Sequence, residues 1–472
     1  MRDPASPAGA GAPEGPPAPA PSPRRGRGLG IAPGEGAAVA AGFLFFFCLF
    51  AGYFMLRPVR ETMGIAGGVQ NLQWLFTATF AVMLAAIPLY GACSAHLPRQ
   101  RFVPWVNAFF VANLLGFALA TRLAPDDVRL ARAFYVWLSV FNLFVVSVGW
   151  SLMADVFRPQ QARRLFGLLA AGASAGGLAG PLAGAWLVPR IGLTGLMLCC
   201  AALLAATVPA TGWLFRWRGR AGAGAGAGAG AVAGDAGAAP QDPGRPIGGG
   251  LWGGLTLVAR SPYLLGISLF VILLATASTF LYFEQARLVA QAFPSRVRQT
   301  QVFSAIDATV QALTIAVQLF LSGRIARRYG VGVLLTAVPL AVAAGFLVLA
   351  WWPTFGVLAG AMVLRRVGEY ALLRPGREML FTVVDAETKY KAKNVIDTTI
   401  YRAGDAVSAW AKTAIDAISG HPAVVALTGA GLALAWAALG WWLGRRHERH
   451  GGGRQAGAAP AGDWRQARGP LR

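Results

Sequence analysis

The sequence predicts an all-α integral membrane protein with about twelve transmembrane helices arranged in two halves of six. Three observations carry this. Hydrophobic residues make up 56% of the 472 residues and charged residues only 13%, where a soluble chain usually carries about a quarter charged residues. Apolar runs of about twenty residues, the length that crosses a hydrocarbon core of ~30 Å, recur along nearly the whole chain. The 42 Lys and Arg greatly outnumber the 20 Asp and Glu, and much of that excess sits in short segments between the runs. Buried helices of a large soluble protein would show polar outer faces, and such segments are largely missing.

Residues 1–35, rich in Pro, Ala and Gly with Arg24, Arg25 and Arg27 near the end, lack the apolar surface needed to fold. They are too long and too Pro-rich before the first apolar run for a cleaved signal peptide. A disordered cytoplasmic tail is expected there, and again over 447–472. Between the tails, hydropathy places spans starting near Gly36, Leu72, Phe102, Ala131, Leu165, Gly192, Tyr263, Thr300, Val331, Phe355, Asn394 and Ala423. The longest interruption, 217–250, holds an alternating Gly-Ala tract from Ala221 to Gly230, a composition that makes a flexible linker. It separates an N-terminal half, 36–216, from a C-terminal half, 251–446.

The charges repeat this division. Arg99 and Arg101, Arg158, Arg163 and Arg164, Arg216, Arg218 and Arg220, Arg324, Arg327 and Arg328, and Lys389, Lys391 and Lys393 all fall in alternate connections. The intervening ones are poorer: Gly67 to Asn71 has no charge, and Asp126 and Asp127 offset neighbouring arginines. By the positive-inside rule both termini are cytoplasmic. The net charge of +22 is thereby a topology signal. No nucleic-acid-binding motif accompanies it, so the expected partners are a lipid bilayer and a small solute, with no nucleic acid.

Two six-span halves joined by a long cytoplasmic loop are the organisation of the major facilitator architecture, whose halves are repeats about an axis normal to the membrane. The stretches GACSAHLPRQR from Gly91 and GRIARRYG from Gly323 resemble that superfamily's cytoplasmic loop motif, although Ala95 and Arg327 replace its usual Asp. In the fifth span, Gly167, Gly176, Gly180, Pro181 and Gly184 match its glycine-proline spacing, with Ala185 in place of the final glycine. Small residues let two helix backbones approach closely, and a proline bends the helix.

Charges inside spans cost ~2.5–3.5 kcal/mol each at the bilayer centre, so they are usually paired, cavity-facing and functional. The first span ends with Arg57, Arg60 and Glu61. Arg57 and Glu61 stand four apart and are expected to pair, leaving Arg60 free. The seventh carries Glu284 and Arg287 after Tyr282-Phe283, a dipeptide in register with Tyr53-Phe54 of the first. The tenth holds Arg365, Arg366, Glu369, Arg374, Arg377 and Glu378; the eleventh places Arg402, Asp405, Lys412 and Asp416 on one helical face. For Arg365, Lys412 and Asp416, snorkelling to the interface is an equal alternative. The cavity charges lean positive, and guanidinium groups match phosphate and carboxylate oxygens bidentately. An anionic, phosphorylated solute is favoured.

At these residues the chain resembles the ATP/ADP translocase family of plastids and intracellular bacteria, or its bacterial nucleotide-exchange-like relatives. Tyr53, Leu56, Arg57, Arg60 and Glu61 stand on its Tyr-x-x-Leu-Arg-x-x-Lys-Asp pattern, and MADVFRPQQARRLFGLLAAG resembles its segment leading into Phe-Gly. Glu284 falls on a family glutamate. In the run from Arg374 to Asp405, Arg377-Glu378 fall on a Lys-Glu pair, and Lys393 and Asp397 on a Lys and an Ile-Asp motif. Arg60 and Arg377 replace family lysines, and Pro58 and Pro375 follow Arg57 and Arg374. The resemblance implies a multi-pass exchanger of nucleotides or similar anions in a bacterial inner membrane, working by alternating access; a monomer is expected. It implies that Arg57, Arg60, Glu61, Glu284, Arg287, Arg377, Glu378, Lys393, Asp397, Arg402 and Asp405 form the binding site.

Other functions fare worse. Cys48, Cys93, Cys199 and Cys200 lie in or beside apolar runs with no metal-ligand spacing or disulfide framework; they read as packing residues, and neither metal nor cofactor is expected. GASAG around Ser174 fits a nucleophile elbow, but it lies mid-span, and His96, His421, His447 and His450 are all at loops or tails. No GxxxxGK[ST] is present to power transport by ATP hydrolysis, and no enzyme is expected. Two alternatives stay open: a proton-coupled exporter using Glu284, Asp307 or Glu369, and a non-transporting membrane sensor or scaffold.

Overall fold

The computed structural model describes residues 31–96, 99–227, 251–384 and 386–456. The expected tail over 1–30, the linker over 228–250 and the chain end after 456 lie outside the described residues. Within them, twelve long helical segments follow one another: α1 (Gly36–Ala66), α2 (Leu72–His96), α3 (Arg99–Leu123), α4 (Val128–Val156), α5 (159–191), α6 (193–227), α7 (Pro262–Ala292), α8 (296–329), α9 (331–351), α10 (355–380), α11 (386–419) and α12 (Pro422–Ala456). The starts lie within a few residues of the hydropathy boundaries, except that α11 begins earlier, at Ala386. Helix α6 runs on to Ala227, into the stretch expected to be linker, and α12 runs on to Ala456, into the expected tail. Both extensions are preceded by arginines, Arg216, Arg218 and Arg220 in α6 and Arg445 and Arg446 in α12, cations that suit the C-terminal end of the helix dipole.

Length separates α5 from α6. The apolar run Arg164–Arg220 has 57 residues, ~85 Å as one helix, far more than one crossing needs. The chain breaks at Gly192 (φ 67°, ψ −175°). Gly330 (φ 74°, ψ −177°) breaks the 56-residue run Arg296–Trp351 in the same way. This left-handed region strains any residue with a Cβ. Segments α10 and α11 fall outside the apolar runs because they carry the intramembrane charges.

Two large hydrophobic cores form among the described residues, one between Ala38 and Leu214 and the other between Val258 and Leu443, with two smaller clusters, one of which joins Leu72, Leu75 and Tyr135 to Phe283, Ala286 and Ala409. The first is locked by α5 against α1. A Cβ on Gly172, Gly176 or Gly180 would stand 2.4 Å from the carbonyl oxygen of Phe43, Phe47 or Ala51. The repeat of four on both helices makes one continuous backbone-to-backbone seam, with Pro181 just beyond it. Gly184 faces Ser304 of α8 at 3.3 Å, while Gly167 faces open space. Gly167 is therefore not part of the seam; Gly172 takes its place, because 172, 176 and 180 share one helical face. In the second half a comparable seam joins α12 to α9, where a Cβ on Gly444 would meet the Gly332 backbone at 2.3 Å. The short helix Leu251–Arg260 lies on α11, with Gly254 against Val395.

At the end of the bundle carrying the termini, buried Glu35 ties the start of α1 to α5. Its carboxylate accepts from the Ala32 N–H (2.9 Å), Gln161 Nε2 (2.8 Å) and Arg164 Nη2 (2.9 Å). Burial pushes this carboxyl up, but those three donors outweigh it and hold it below the usual carboxylate range.

The halves meet at the opposite end. Arg296 pairs with Asp126 at 3.1 Å, Thr62 and Thr300 share a hydrogen bond of 2.7 Å, and Trp410 donates to Thr77 Oγ1 at 3.0 Å while its ring meets Trp74 edge-on at 4.8 Å. Among the described residues three π-helical turns interrupt the C-terminal half, at Gln318–Ser322 in α8, Glu369–Leu373 in α10 and Ile396–Ile400 in α11. Gln318 Nε2 donates to the Tyr370 carbonyl (3.1 Å) and Ser322 Oγ to that of Ala371 (2.7 Å). Backbone acceptors loosened by one π-turn are thus met by side chains of another.

Candidate functional site: a charged central cavity

Between the halves lies a cavity of about 910 Å³, lined by α1, α2, α4 and α5 on one side and by α7, α8, α10 and α11 on the other. Its charged lining comprises seven arginines (Arg57, Arg60, Arg365, Arg366, Arg374, Arg377 and Arg402) and six carboxylates (Glu61, Asp307, Glu369, Glu378, Asp397 and Asp405). The balance is closer than the sequence suggested, so the position of the surplus matters more than its size.

Most of these charges are paired. Arg60 Nη2 donates to Glu61 at 2.6 Å, and its guanidinium lies 5.1 Å over the Tyr135 ring of α4. Arg365 bonds Glu369 (2.8 Å) and Ser278 (2.7 Å). Arg377 stands 3.1 Å from Asp397, and Arg402 3.2 Å from Asp405, which also accepts from Thr279.

Two places break the pattern. Asp307 of α8 serves two arginines at once, Arg366 at 2.5 Å and Arg57 at 3.8 Å, leaving Nε and Nη2 of buried Arg366 without a hydrogen-bond partner. Arg374 is exposed to the cavity and rests over the Tyr370 ring at 4.8 Å, with no carboxylate in ion-pair reach among the described residues. Arg366, Tyr370 and Arg374 are spaced four apart along α10, and the π-turn between them keeps all three on the cavity wall.

This geometry corrects several expectations. Glu61 pairs with adjacent Arg60 instead of Arg57: Tyr135 and Ser139 of α4 hold the long Arg60 side chain back along its helix, and Asp307 draws Arg57 across to the other half. Arg60 and Arg377 are not free cations. Glu284 and Arg287 bond each other and do not line the cavity. Tyr282 and Gln285 line it instead, and Glu284, two residues from Tyr282, points about 200° away from it around the helix. Lys393 also lies off the wall, bonded to Glu378 at 2.6 Å. Arg57, Arg60, Glu61, Arg377, Glu378, Asp397, Arg402 and Asp405 do come together there. Arg365 does not snorkel but is buried against Glu369. Lys412 is buried too, bonded to Asp416 and 5.5 Å over the Phe283 ring. The sequence reading passed over Arg366 and Arg374 for the site, although their common spacing with Tyr370 could have marked them.

Two six-helix halves enclosing a charged cavity are the arrangement of membrane transporters that take solute between repeats. Residues 38–384 match the family model described as Major Facilitator Superfamily, and the chain belongs to that superfamily. It is similar to the ADP,ATP carrier protein 1 of Chlamydia muridarum, 22% identical over 431 residues, covering 77% of this chain and 78% of that one. The protein of the same name from Chlamydia pneumoniae is 21% identical over 424 residues, covering 77% of this chain and 81% of that one. Among solved structures, a bacterial homologue of the iron transporter ferroportin in an inward-facing state superposes with a TM-score of 0.60 at 12% identity, covering 86% of this chain and 98% of that one. A bacterial homologue of the human lysosomal transporter Spinster, inward-facing and unoccupied, gives 0.57 at 16%, covering 89% and 99%. These structural likenesses bear on the fold alone.

Proposed function

We propose that this multi-pass membrane transporter exchanges phosphorylated anions, nucleotides among them, across a bacterial inner membrane by alternating access, with both termini cytoplasmic. The observation that carries the reading is the location of the unmatched positive charge, at the doubly used Asp307 and at Arg374. An anion bridging Arg57, Arg366 and Arg374 would supply the missing partners. Guanidinium forks suit phosphate oxygens, and a cation without a partner inside a membrane protein is costly until a ligand neutralises it. Similarity to ADP,ATP carriers supports a nucleotide as the anion. Cross-half contacts at the Gly67–Asn71 end, with the cavity reaching toward the termini, correspond to an inward-facing state under this topology.

The test is exchange by proteoliposomes loaded with ADP and given labelled ATP outside. Arg374→Ala is expected to slow exchange at least about tenfold, the loss of one hydrogen bond to a charged group. Its thermal midpoint should stay within about 2 °C of the parent, since no ion pair is removed. Exchange at the parent rate in this variant would refute the site. Uptake that needs no internal solute and stops with an uncoupler would put a proton-coupled exporter in its place.

A further inference from the structure

One exposed face of α12 carries, in order toward the end of the bundle with the termini, Leu427, Leu434, Ala438, Trp441 and Arg445. The apolar residues come first. Trp441 stands about twenty residues, ~30 Å, along the helix from Pro422, which is one hydrocarbon thickness and the level where tryptophan meets the headgroups. Arg445 lies beyond, its guanidinium 4.9 Å over the Trp441 ring, and Arg446 lies likewise over Trp442 at 5.1 Å. The glycine seam between α9 and α12 brings a second set of cations to the same corner. A Cβ on Gly332 would touch both Trp441 and Gly444, and one on Gly330 would stand 2.9 Å from Glu448 Oε1. Arg324, Arg327 and Arg328, at the end of α8, are therefore set beside the end of α12. Over 323–332 and 441–449 there are six arginines and one carboxylate, Glu448. None of Arg324, Arg327, Arg328 and Arg445 has a carboxylate in ion-pair reach among the described residues. Elsewhere at this end basic groups are spent on protein: Arg164 on Glu35, Lys393 on Glu378 and Arg216 on the Gly212 carbonyl.

We propose that this corner is a docking surface for an anionic phospholipid, whose phosphate sits among Arg327, Arg328 and Arg445 while an acyl chain runs along α12 over Trp441, Ala438 and Leu434. The surface is on the outside of the bundle, and none of these residues lines the central cavity. Positive-inside topology requires basic residues on one side of the membrane; it does not require them gathered where two helices cross or stacked on exposed tryptophan. The seam enforces the gathering. Backbone contact between Gly332 and Gly444 leaves the two helix ends no room to part, and like charges held together repel. One phosphate accepts from several guanidinium forks at once and relieves that repulsion. Stacking on the Trp441 ring holds the Arg445 guanidinium in place, so little freedom is lost when the headgroup arrives. A zwitterionic lipid carries an ammonium that these cations repel, and basic clusters at helix ends select lipids by net charge. The order from apolar through tryptophan to arginine along α12 matches a lipid from its chains to its headgroup.

The experiment is thermal stabilisation of the purified full-length protein in a neutral detergent, titrated with phosphatidylglycerol, phosphatidylcholine or inorganic tripolyphosphate. Phosphatidylglycerol is expected to half-saturate at a mole fraction at least about tenfold below that of phosphatidylcholine. The triple variant Arg327→Gln, Arg328→Gln, Arg445→Gln should weaken phosphatidylglycerol about hundredfold, at roughly fivefold for each arginine at a membrane surface. A control removing the same charge from the other half, Arg216→Gln, Arg218→Gln, Arg220→Gln on α6, should weaken it less than about fivefold. All six side chains are exposed, so both triples should fold; Arg445→Gln alone should cost about fivefold and serves if the first triple is not recovered. Tripolyphosphate should half-saturate alike in the two triples. Equal half-saturation by the two lipids in the parent, equal loss in the two triples, or phosphatidylglycerol binding unmoved by Arg445→Gln overturns the docking surface. Loss of tripolyphosphate binding in the first triple to the same degree as phosphatidylglycerol would make the corner a site for free phosphate and overturn the lipid.

Discussion

The α1–α5 seam and the α7–α11 seam occupy corresponding places in the two halves, yet they are built from opposite materials. Along α1–α5, Gly172, Gly176 and Gly180 set backbone on backbone, and the polar tie of Glu35 to Gln161 and Arg164 lies beyond the end of that glycine row. Along α7–α11, Thr276 bonds Ser408 at 2.8 Å, Thr279 reaches Asp405 at 3.4 Å, and a single glycine, Gly404, faces Ala275 and Ile272. The C-terminal half keeps its tightest glycine contact elsewhere, between α9 and α12, away from the cavity. The described π-turns also fall in that half alone. One repeat therefore presents a stiff wall whose cavity charges are confined to Arg57, Arg60 and Glu61 of α1. The other presents a wall whose helices are interrupted and whose seam is part of the charge network. A common fold constrains where helices run but not which seam is dry.

The sharpest way to break this comparison is a matched alanine pair. Gly176→Ala drives a methyl into the Phe47 carbonyl and the Ala51 nitrogen at 2.4 and 2.9 Å, and is expected to cost more than about 3 kcal/mol, the upper end of overpacking. Gly404→Ala comes no closer than 3.3 Å to the Ala275 Cβ and 3.5 Å to the Ile272 Cα and should cost under about 1 kcal/mol. Yield of monodisperse protein and thermal unfolding in detergent report both; equal tolerance would mean the seams do not differ.

A smaller effect separates wall from scaffold. Asp405→Asn keeps an acceptor for Thr279 but removes the partner of Arg402, adding one net positive charge to the cavity. Tripolyphosphate should then half-saturate at a concentration roughly fivefold lower, the ~1 kcal/mol of a unit charge several ångströms away in a partly wet site. Weaker binding would take the polar seam out of the anion's field.

The smallest effect is expected from Ser408→Ala. One hydrogen bond between membrane helices contributes about 0.6 kcal/mol on average, so the variant should fold normally with a slightly lowered thermal midpoint. A loss as large as that of Gly176→Ala would show the α7–α11 seam to be as rigid as its counterpart.

Helix positions were legible because hydropathy is a property of consecutive residues, and eleven of the twelve segments begin close to where apolar runs begin. Periodicity on one helix was legible too, which is why eight of the expected site residues line the cavity. Partnerships between helices were not. Arg57 and Glu61 stand four apart and satisfy the local pairing rule, but that rule knows nothing of Asp307, some 250 positions away, or of the Tyr135 ring that holds Arg60 against Glu61. Glu284 shares its depth with the cavity charges, yet its angle around α7 turns it away. Gly167 and Gly172 are equally small; only the approach of α1 distinguishes them.

By itself the sequence determined the membrane-embedded, two-half helical fold, since the length and apolarity of each span answer to the bilayer, the same solvent at every position. The tertiary structure alone decided which of the many intramembrane charges are spent on one another and which are left for a solute. That allotment depends on distances of 2.5–4 Å between helices far apart in the chain, and Coulomb energy at such range falls off too steeply for charge content to stand in for geometry.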